Sequence, residues 1–349
     1  MDRMDNNMPF LLRYENVAWF ENGKVRILDR RIYPEISFVE CEDYRQVVQA
    51  IADMVTQSAG PYTAVGMGMA LAAWQVKDKK LEDQLSFLEQ AAYDLAHARP
   101  TTANRYGQIT NDCYELAKIT LNSGNDASRT IFESTIASLN RRYSTMQKVG
   151  NRLLELIPNN GTILTQCFGE TIIGTLIRAA IENNRNFKVY CAETRPYLQG
   201  ARLTASCFAG MGFDTTLLCD NMVAYAMENE GIDLFTSAAD TICRDGHIAN
   251  KVGSYQMAIL ARHHGLPYYV TGIPDADKQS RSDIRIEMRD PKQVLEYRGI
   301  RSTLDQVKAI YPSFDIVPPE LISAVVTDKG VFEPHKLNTY FDTETAKFY

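Results

Sequence analysis

No CxxC pair, no GxGxxG, no P-loop pattern and no HExxH occurs anywhere in these 349 residues. Their absence excludes the common zinc clusters, the dinucleotide fingerprint, the triphosphate-binding loop and the zinc-protease helix. Gly-Met-Gly-Met at 66–69 lacks the third glycine of a dinucleotide loop. The seven cysteines (Cys41, Cys113, Cys167, Cys191, Cys207, Cys219 and Cys243) are odd in number and scattered. That argues against a disulfide framework and for reduced thiols in a reducing compartment. There is no basic excess: the net charge is -6, which disfavours a nucleic-acid backbone as the main partner. A small phosphate ester is still allowed, because one or two local cations hold it. No run reaches the roughly 20 apolar residues of a membrane span. The opening MDRMDNNMPFLLRY has no apolar stretch of signal-peptide length. These features predict a cytoplasmic protein with no membrane or nucleic-acid partner, and neither a metal nor an organic cofactor is expected.

What is present is ordinary globular composition, 45% hydrophobic and 23% charged, in a chain long enough for two domains. Residues 10–40 read as a small antiparallel meander of Phe10 to Tyr14, Val17 to Phe20 and Val25 to Leu28, with a hairpin signal at Asn22-Gly23. From Cys41 the period becomes helical. Asp43 can cap a helix carrying Val47, Val48, Ile51, Met54 and Val55, and further helical patterns cover 81–97, 108–122 and 125–148. After Val149-Gly150 the texture changes again. Strand-like runs at 161–165, 187–192, 214–219, 234–237 and 268–271 alternate with helix-like ones at 170–183, 199–211, 222–229 and 251–263. Such alternation predicts a parallel sheet. The expected fold is α/β. Residues 1–150 form a smaller, mainly helical N-terminal domain that begins with a short β-meander, and residues 151–349 form a Rossmann-like parallel-sheet domain.

Ligands in such sheets bind beyond the carboxyl ends of the strands. The rule singles out Gln166-Cys167, Glu193-Thr194-Arg195, Asp220-Asn221 and Ala238-Ala239-Asp240. Cys167 stands before a helix, where a thiol can become a thiolate or an acid–base group; an inert buried thiol fits the position too. Asp240 is either a half-buried acid–base carboxylate with a raised pKa or a turn residue. Residues 193–202 pack charges and amides at a strand–helix junction, as an anion or polyol site or as an ion pair with Gln199 capping. Asn250 and Lys251 stand where a helix is expected to begin, and Lys251 either holds a phosphate or is solvated. Arg99-Pro100-Thr101 and Ser58-Ala59-Gly60-Pro61 offer phosphate ligands, or simply a helix end and a turn.

ETRPYLQGARLT at 193–204, DN at 220–221, ANKVG at 249–253, Arg289-Asp290-Pro291 and YPSFDIVPPELISAVVTDKG at 311–330 belong together. In these segments the chain resembles the 5-methylthioribose-1-phosphate isomerase family, which is related to regulatory subunits of the initiation factor that exchanges guanine nucleotide. The resemblance covers most of the chain. It implies a homodimer with a Rossmann-like domain, Cys167 as catalytic cysteine and Asp240 as catalytic aspartate. It also implies Gln199, Asn250 and Lys251 as substrate-binding residues and Arg99 as a phosphate ligand. The family's Arg-Gly-Ala-Pro loop corresponds here to Ser58-Ala59-Gly60-Pro61, the glycine-rich loop after the cysteine is shortened to Phe168-Gly169-Glu170, and Gly-Ala-Asp-Arg becomes Ala238-Ala239-Asp240-Thr241. The implied partner is a small phosphorylated sugar: 5-methylthioribose 1-phosphate or an analogue such as 5-deoxyribose 1-phosphate. A non-catalytic regulatory module binding a sugar phosphate or nucleotide is the alternative.

Overall fold

The structure is a computed structural model that describes residues 3–99 and 103–343. The chain divides into two compact units, the first running to Ser144 and the second beginning at Thr145.

In the first unit, residues 10–14 are not a strand. Phe10–Leu12 is a 3-10 turn, and Tyr14–Val17 is a helical turn, α1. Leu11, Tyr14 and Val17 are all buried, and their three-residue spacing suits one side of a helical turn better than a pleat. The antiparallel strands are β1 (Trp19–Glu21), β2 (Lys24–Leu28) and β3 (Phe38–Cys41). Asn22 and Gly23 join the first two with φ of +51° and +76°, as a type I′ hairpin turn requires. Asp43 caps α2 (Tyr44–Ala52) through a capping box with Gln46. Then come α3 (Gly60–Val76), α4 (Leu81–Ala96), α5 (Ala103–Asn122) and α6 (Ala127–Leu156). α3 is apolar nearly all round and buried along most of its length. It is the core helix on which α2, α4 and α5 pack.

α6 runs past Val149-Gly150, where the sequence suggested a break. Glycine suits that point: a Cβ on Gly150 would lie 2.8 Å from the Thr175 carbonyl carbon, so the close packing of α6 on the next helix needs a residue without one.

The second unit is built on seven strands. In chain order these are β4 (Thr162–Gln166), β5 (Lys188–Ala192), β6 (Thr215–Leu218), β7 (Leu234–Ala238), then two short strands of another sheet, β8 (Thr241–Ile242) and β9 (Ile248–Lys251), and β10 (Tyr268–Thr271). The hairpin strands β11 (Glu296–Tyr297) and β12 (Ile300–Arg301) follow, then β13 (Phe314–Val317), β14 (Ala324–Val326) and β15 (Val331–Phe332). The main sheet has the order β15-β14-β10-β7-β4-β5-β6, parallel except at β15. β8, β9 and β13 form a small antiparallel sheet.

Helices cover both faces. Leu164, Phe235 and Val270 pack towards α9 (Val223–Asn229) and α10 (Ser254–His263). α7 (Glu170–Glu182) and α8 (Ser206–Gly210) lie on the opposite face with the end of α6. Two sequence expectations are corrected here. Gly200–Ala205, read as ordinary helix, is a π-type turn before α8. Lys251 does not open a helix: it ends β9, and α10 starts only at Ser254, after Gly253 reverses the chain at φ +103°.

Candidate functional site

The site begins at the carboxyl end of β4. Cys167 sits there in the left-handed region, φ +56°, a conformation that a residue with a Cβ adopts only when its surroundings enforce it. Here the enforcement is visible. The Cys167 N–H donates to Thr194 Oγ1 at 2.8 Å, and Thr204 Oγ1 donates to the Cys167 carbonyl. Thr194 is itself left-handed, at φ +65°. Asp220, just beyond β6, accepts from the N–H groups of Thr194 and Arg195 at 2.8 and 2.7 Å. The ends of β4, β5 and β6 are thus laced into one turn system. Gly200 completes it: a Cβ there would stand 1.8 Å from the Ala192 carbonyl oxygen. Gly169 lets α7 start against β7, since its Cβ would lie 2.7 Å from that of Ala238.

Beneath this turn runs a buried polar chain. Asn250 Nδ2 donates to Ser254 Oγ at 2.9 Å and to Ser237 Oγ at 3.2 Å, and Ser237 shares a 2.7 Å hydrogen bond with Tyr268 Oη. Gln166 Nε2 donates to Ser254 Oγ and to the Lys251 carbonyl. Lys251 is 4% exposed, with Nζ 4.7 Å from the centre of the Phe314 ring. Gln199 is buried too, and its Oε1 has no partner among the described residues. A buried amide oxygen in that state is costly unless a donor reaches it, so Gln199 is equipped to accept from a ligand hydroxyl.

Burial pushes the Cys167 thiol up to about 11; the Lys251 charge pulls it down, Asp240 pushes it up again and Arg289 pulls down. The thiolate considered from sequence is therefore not the resting state. Desolvation outweighs the cations, and at neutral pH the sulfur carries its proton. Asp240 is another correction. It is exposed, not half-buried; its N–H donates to the Ala249 carbonyl at 2.9 Å, and its charge is felt at Cys167.

The second unit brings together Cys167, Asp240, Gln199, Asn250 and Lys251. The other sequence candidates belong to the first unit. Ser58 is exposed at φ +58°, Ala59 precedes α3 and Gly60 opens it. A Cβ on Gly60 would meet Thr56 Oγ1 at 2.0 Å, and buried Arg30 braces the loop by donating to the Gln57 carbonyl at 2.7 Å. Arg99 is half-buried after α4, while Pro100 and Thr101 lie outside the described residues. Sequence reasoning missed Arg289 and Tyr311 as site residues. Their backbones pair at 2.8 Å, and the charge of Arg289 reaches Cys167. The Arg289-Asp290-Pro291 motif was visible, but nothing in its spacing tied it to the end of β4.

Residues 62–334 match the family model described as the initiation factor 2 subunit family. The chain belongs to that family. Within it, the chain is 35% identical over 329 residues to a methylthioribose-1-phosphate isomerase of Desulforudis audaxviator, covering 90% of this chain and 94% of the relative. A second enzyme of that name, from Carboxydothermus hydrogenoformans, is 34% identical over 344 residues, 91% of this chain and 96% of its own. Among solved structures, 5-methylthioribose 1-phosphate isomerase from Pyrococcus horikoshii OT3 superposes with a TM-score of 0.81 at 29% identity, covering 93% and 94% of the two chains. The translation initiation factor eIF-2B subunit delta from A. fulgidus superposes with a TM-score of 0.79 at 26% identity, covering 93% and 98%. The family's fold thus occurs in proteins bearing both kinds of name.

Proposed function

We propose that the chain is an aldose–ketose isomerase. Its substrate is a ribose 1-phosphate derivative, 5-methylthioribose 1-phosphate or a close analogue such as 5-deoxyribose 1-phosphate, and its product the ribulose 1-phosphate. The reaction belongs to methionine salvage or a related salvage of 5-deoxy sugars. The observation that carries the reading is Cys167 held in a left-handed turn at the end of β4 by Thr194 and Thr204, in a chain with 35% identity to a methylthioribose-1-phosphate isomerase along nearly its full length.

The chemistry follows from the substrate. An aldose 1-phosphate is a cyclic acetal, so its ring must open first. The ring oxygen gains a proton, the C2 hydrogen moves to C1, and the C2 hydroxyl loses its proton, which balances as an isomerisation. Asp240 handles the protons on the two oxygens. Cys167 stands at C1–C2, as proton carrier or as guard of a hydride shift. Lys251 supplies positive charge, Asn250 and Gln199 orient hydroxyls, and Ser58, Ala59, Gly60 and Arg99 receive the phosphate. The reading takes residues 1–150 and 151–349 as the two domains of a cytoplasmic homodimer working without metal or organic cofactor.

The test is ketose formation from 5-methylthioribose 1-phosphate, 5-deoxyribose 1-phosphate, ribose 1-phosphate and ribose 1,5-bisphosphate. One sugar should turn over, and Cys167→Ser and Asp240→Asn should each reduce its rate by about 10²–10⁴-fold. Tight binding of any of them without turnover would instead favour a regulatory module, the kind of protein suggested by the likeness to an initiation-factor subunit.

A further inference from the structure

The first unit contains a feature that the isomerase reading does not use. A cavity of ≈ 280 Å³ lies among α3, α5 and α6, far above the roughly 10–15 Å³ that one water occupies. Arg142 on α6 lines it and is only 4% exposed. Its guanidinium donates one long hydrogen bond, 3.3 Å, to Thr63 Oγ1 on α3. Its Nε has no partner, and among the described residues no carboxylate lies within ion-pair distance. A buried cation without a counter-charge is strongly unfavourable, and structures retain one where something supplies the charge. The cavity also offers the hydroxyl of Ser138, while Leu139 adds an apolar wall. Its two acidic residues, Asp112 and Glu115, are exposed, and Glu115 is paired with Lys118 at 3.9 Å.

We propose that this cavity is a second ligand site, for a small organic oxyanion, carboxylate or phosphate ester, whose charged end is gripped by Arg142. The planar guanidinium fork suits either oxyanion in a two-point contact, and Thr63, Ser134, Ser138 and Arg141 add further polar groups to the lining. The outer end of the ligand faces Asp112 and Glu115, which favours hydroxyls or an amine there. The proposal is independent of the isomerase reading, since it uses none of the residues around Cys167.

The test is calorimetric titration of the full chain with inorganic phosphate and with malonate. The background variant combines Arg99→Met with Lys251→Met, so that an anion held by the phosphate ligands of the isomerase reading or beside Cys167 is removed from the count. At least one of the ions should still bind. Arg142→Leu should weaken that binding tenfold or more, and Ser138→Leu, which fills the cavity while keeping the guanidinium, should do the same if Arg142→Leu does not fold. Preference for phosphate would assign a phosphate ester, and preference for malonate a carboxylate. Failure of both ions to bind the background variant would overturn the proposal, and so would binding that folded Arg142→Leu and Ser138→Leu leave unchanged.

Discussion

At about pH 8 Cys167 should be alkylated slowly, and its rate should keep climbing with pH. Desolvation of the half-buried thiol pushes it up to about 11, so roughly 0.1% of it is thiolate at that pH, against about a quarter for an ordinary thiol near 8.5. That is a deficit of roughly 200-fold. A more basic thiolate is also a better nucleophile, which returns about tenfold of it. The net expectation is a rate about 20-fold below that of a model thiol, before any steric shielding. Steric shielding scales the whole curve, whereas the titration sets its shape, so the slope is diagnostic. The assay is iodoacetamide labelling of the Cys167 peptide, followed by mass spectrometry across the pH range. The logarithm of the rate should rise by about one per pH unit up to about pH 10. Replacing Lys251 by Met removes the main lowering charge and should move the inflection upward; Asp240→Asn removes the raising charge and should move it downward. A rate that levels off by about pH 8–9, near an ordinary thiol's pKa, would refute the argument. It would mean that the helix N-terminus and the two cations outweigh burial.

Three further outcomes follow from the same geometry. Burial raises Cys41 to about 11 and Cys191 and Cys243 to about 12. Folded thiols keep protons that unfolded ones release from about 8.5 upward, so this stability is complete below that pH and lost as pH climbs towards the folded values. The urea midpoint should fall between about pH 8 and 10, less steeply in Cys191→Ala; a flat midpoint in the wild type would count against it. Thr194→Val leaves the Cys167 N–H without its acceptor and should cost about 1–3 kcal/mol in urea unfolding, with a larger fractional loss in kcat than in substrate affinity. Turnover in deuterated water should leave C1 unlabelled, because a thiol that holds its proton at neutral pH is a poor base for the C2 hydrogen; solvent label at C1 by NMR would assign a proton-carrier role.

Sequence periodicity was informative where one face of an element is wet and the other dry. α2 and α4 have such faces, and the runs at β4, β5, β6, β7 and β10 are apolar segments bounded by turn residues. Periodicity was uninformative for α3, the central helix of the first unit, because a helix buried all round has no polar stripe to set its phase. It also misplaced Lys251. Ile248–Lys251 is a strand only because β13 pairs with it from more than sixty positions later in the chain, and local propensity carries no such information.

The candidate site divides along the same line. That polar residues following apolar strands gather at one edge is a consequence of parallel topology, so Cys167 and Asp240 could be singled out from order along the chain alone. What those residues do depends on neighbours that order does not reveal: two threonines and an aspartate that force Cys167 into a left-handed turn, and an arginine 122 positions further along whose charge opposes the burial of the thiol. The helix start beside Cys167 argued for a thiolate. The desolvation that reverses this comes from several separate strand ends closing around the sulfur, and it exists only once the sheet has formed. The protonation state of Cys167 is therefore a tertiary property carried by a locally legible position, which is why its titration tests the assembled site and not merely the residue.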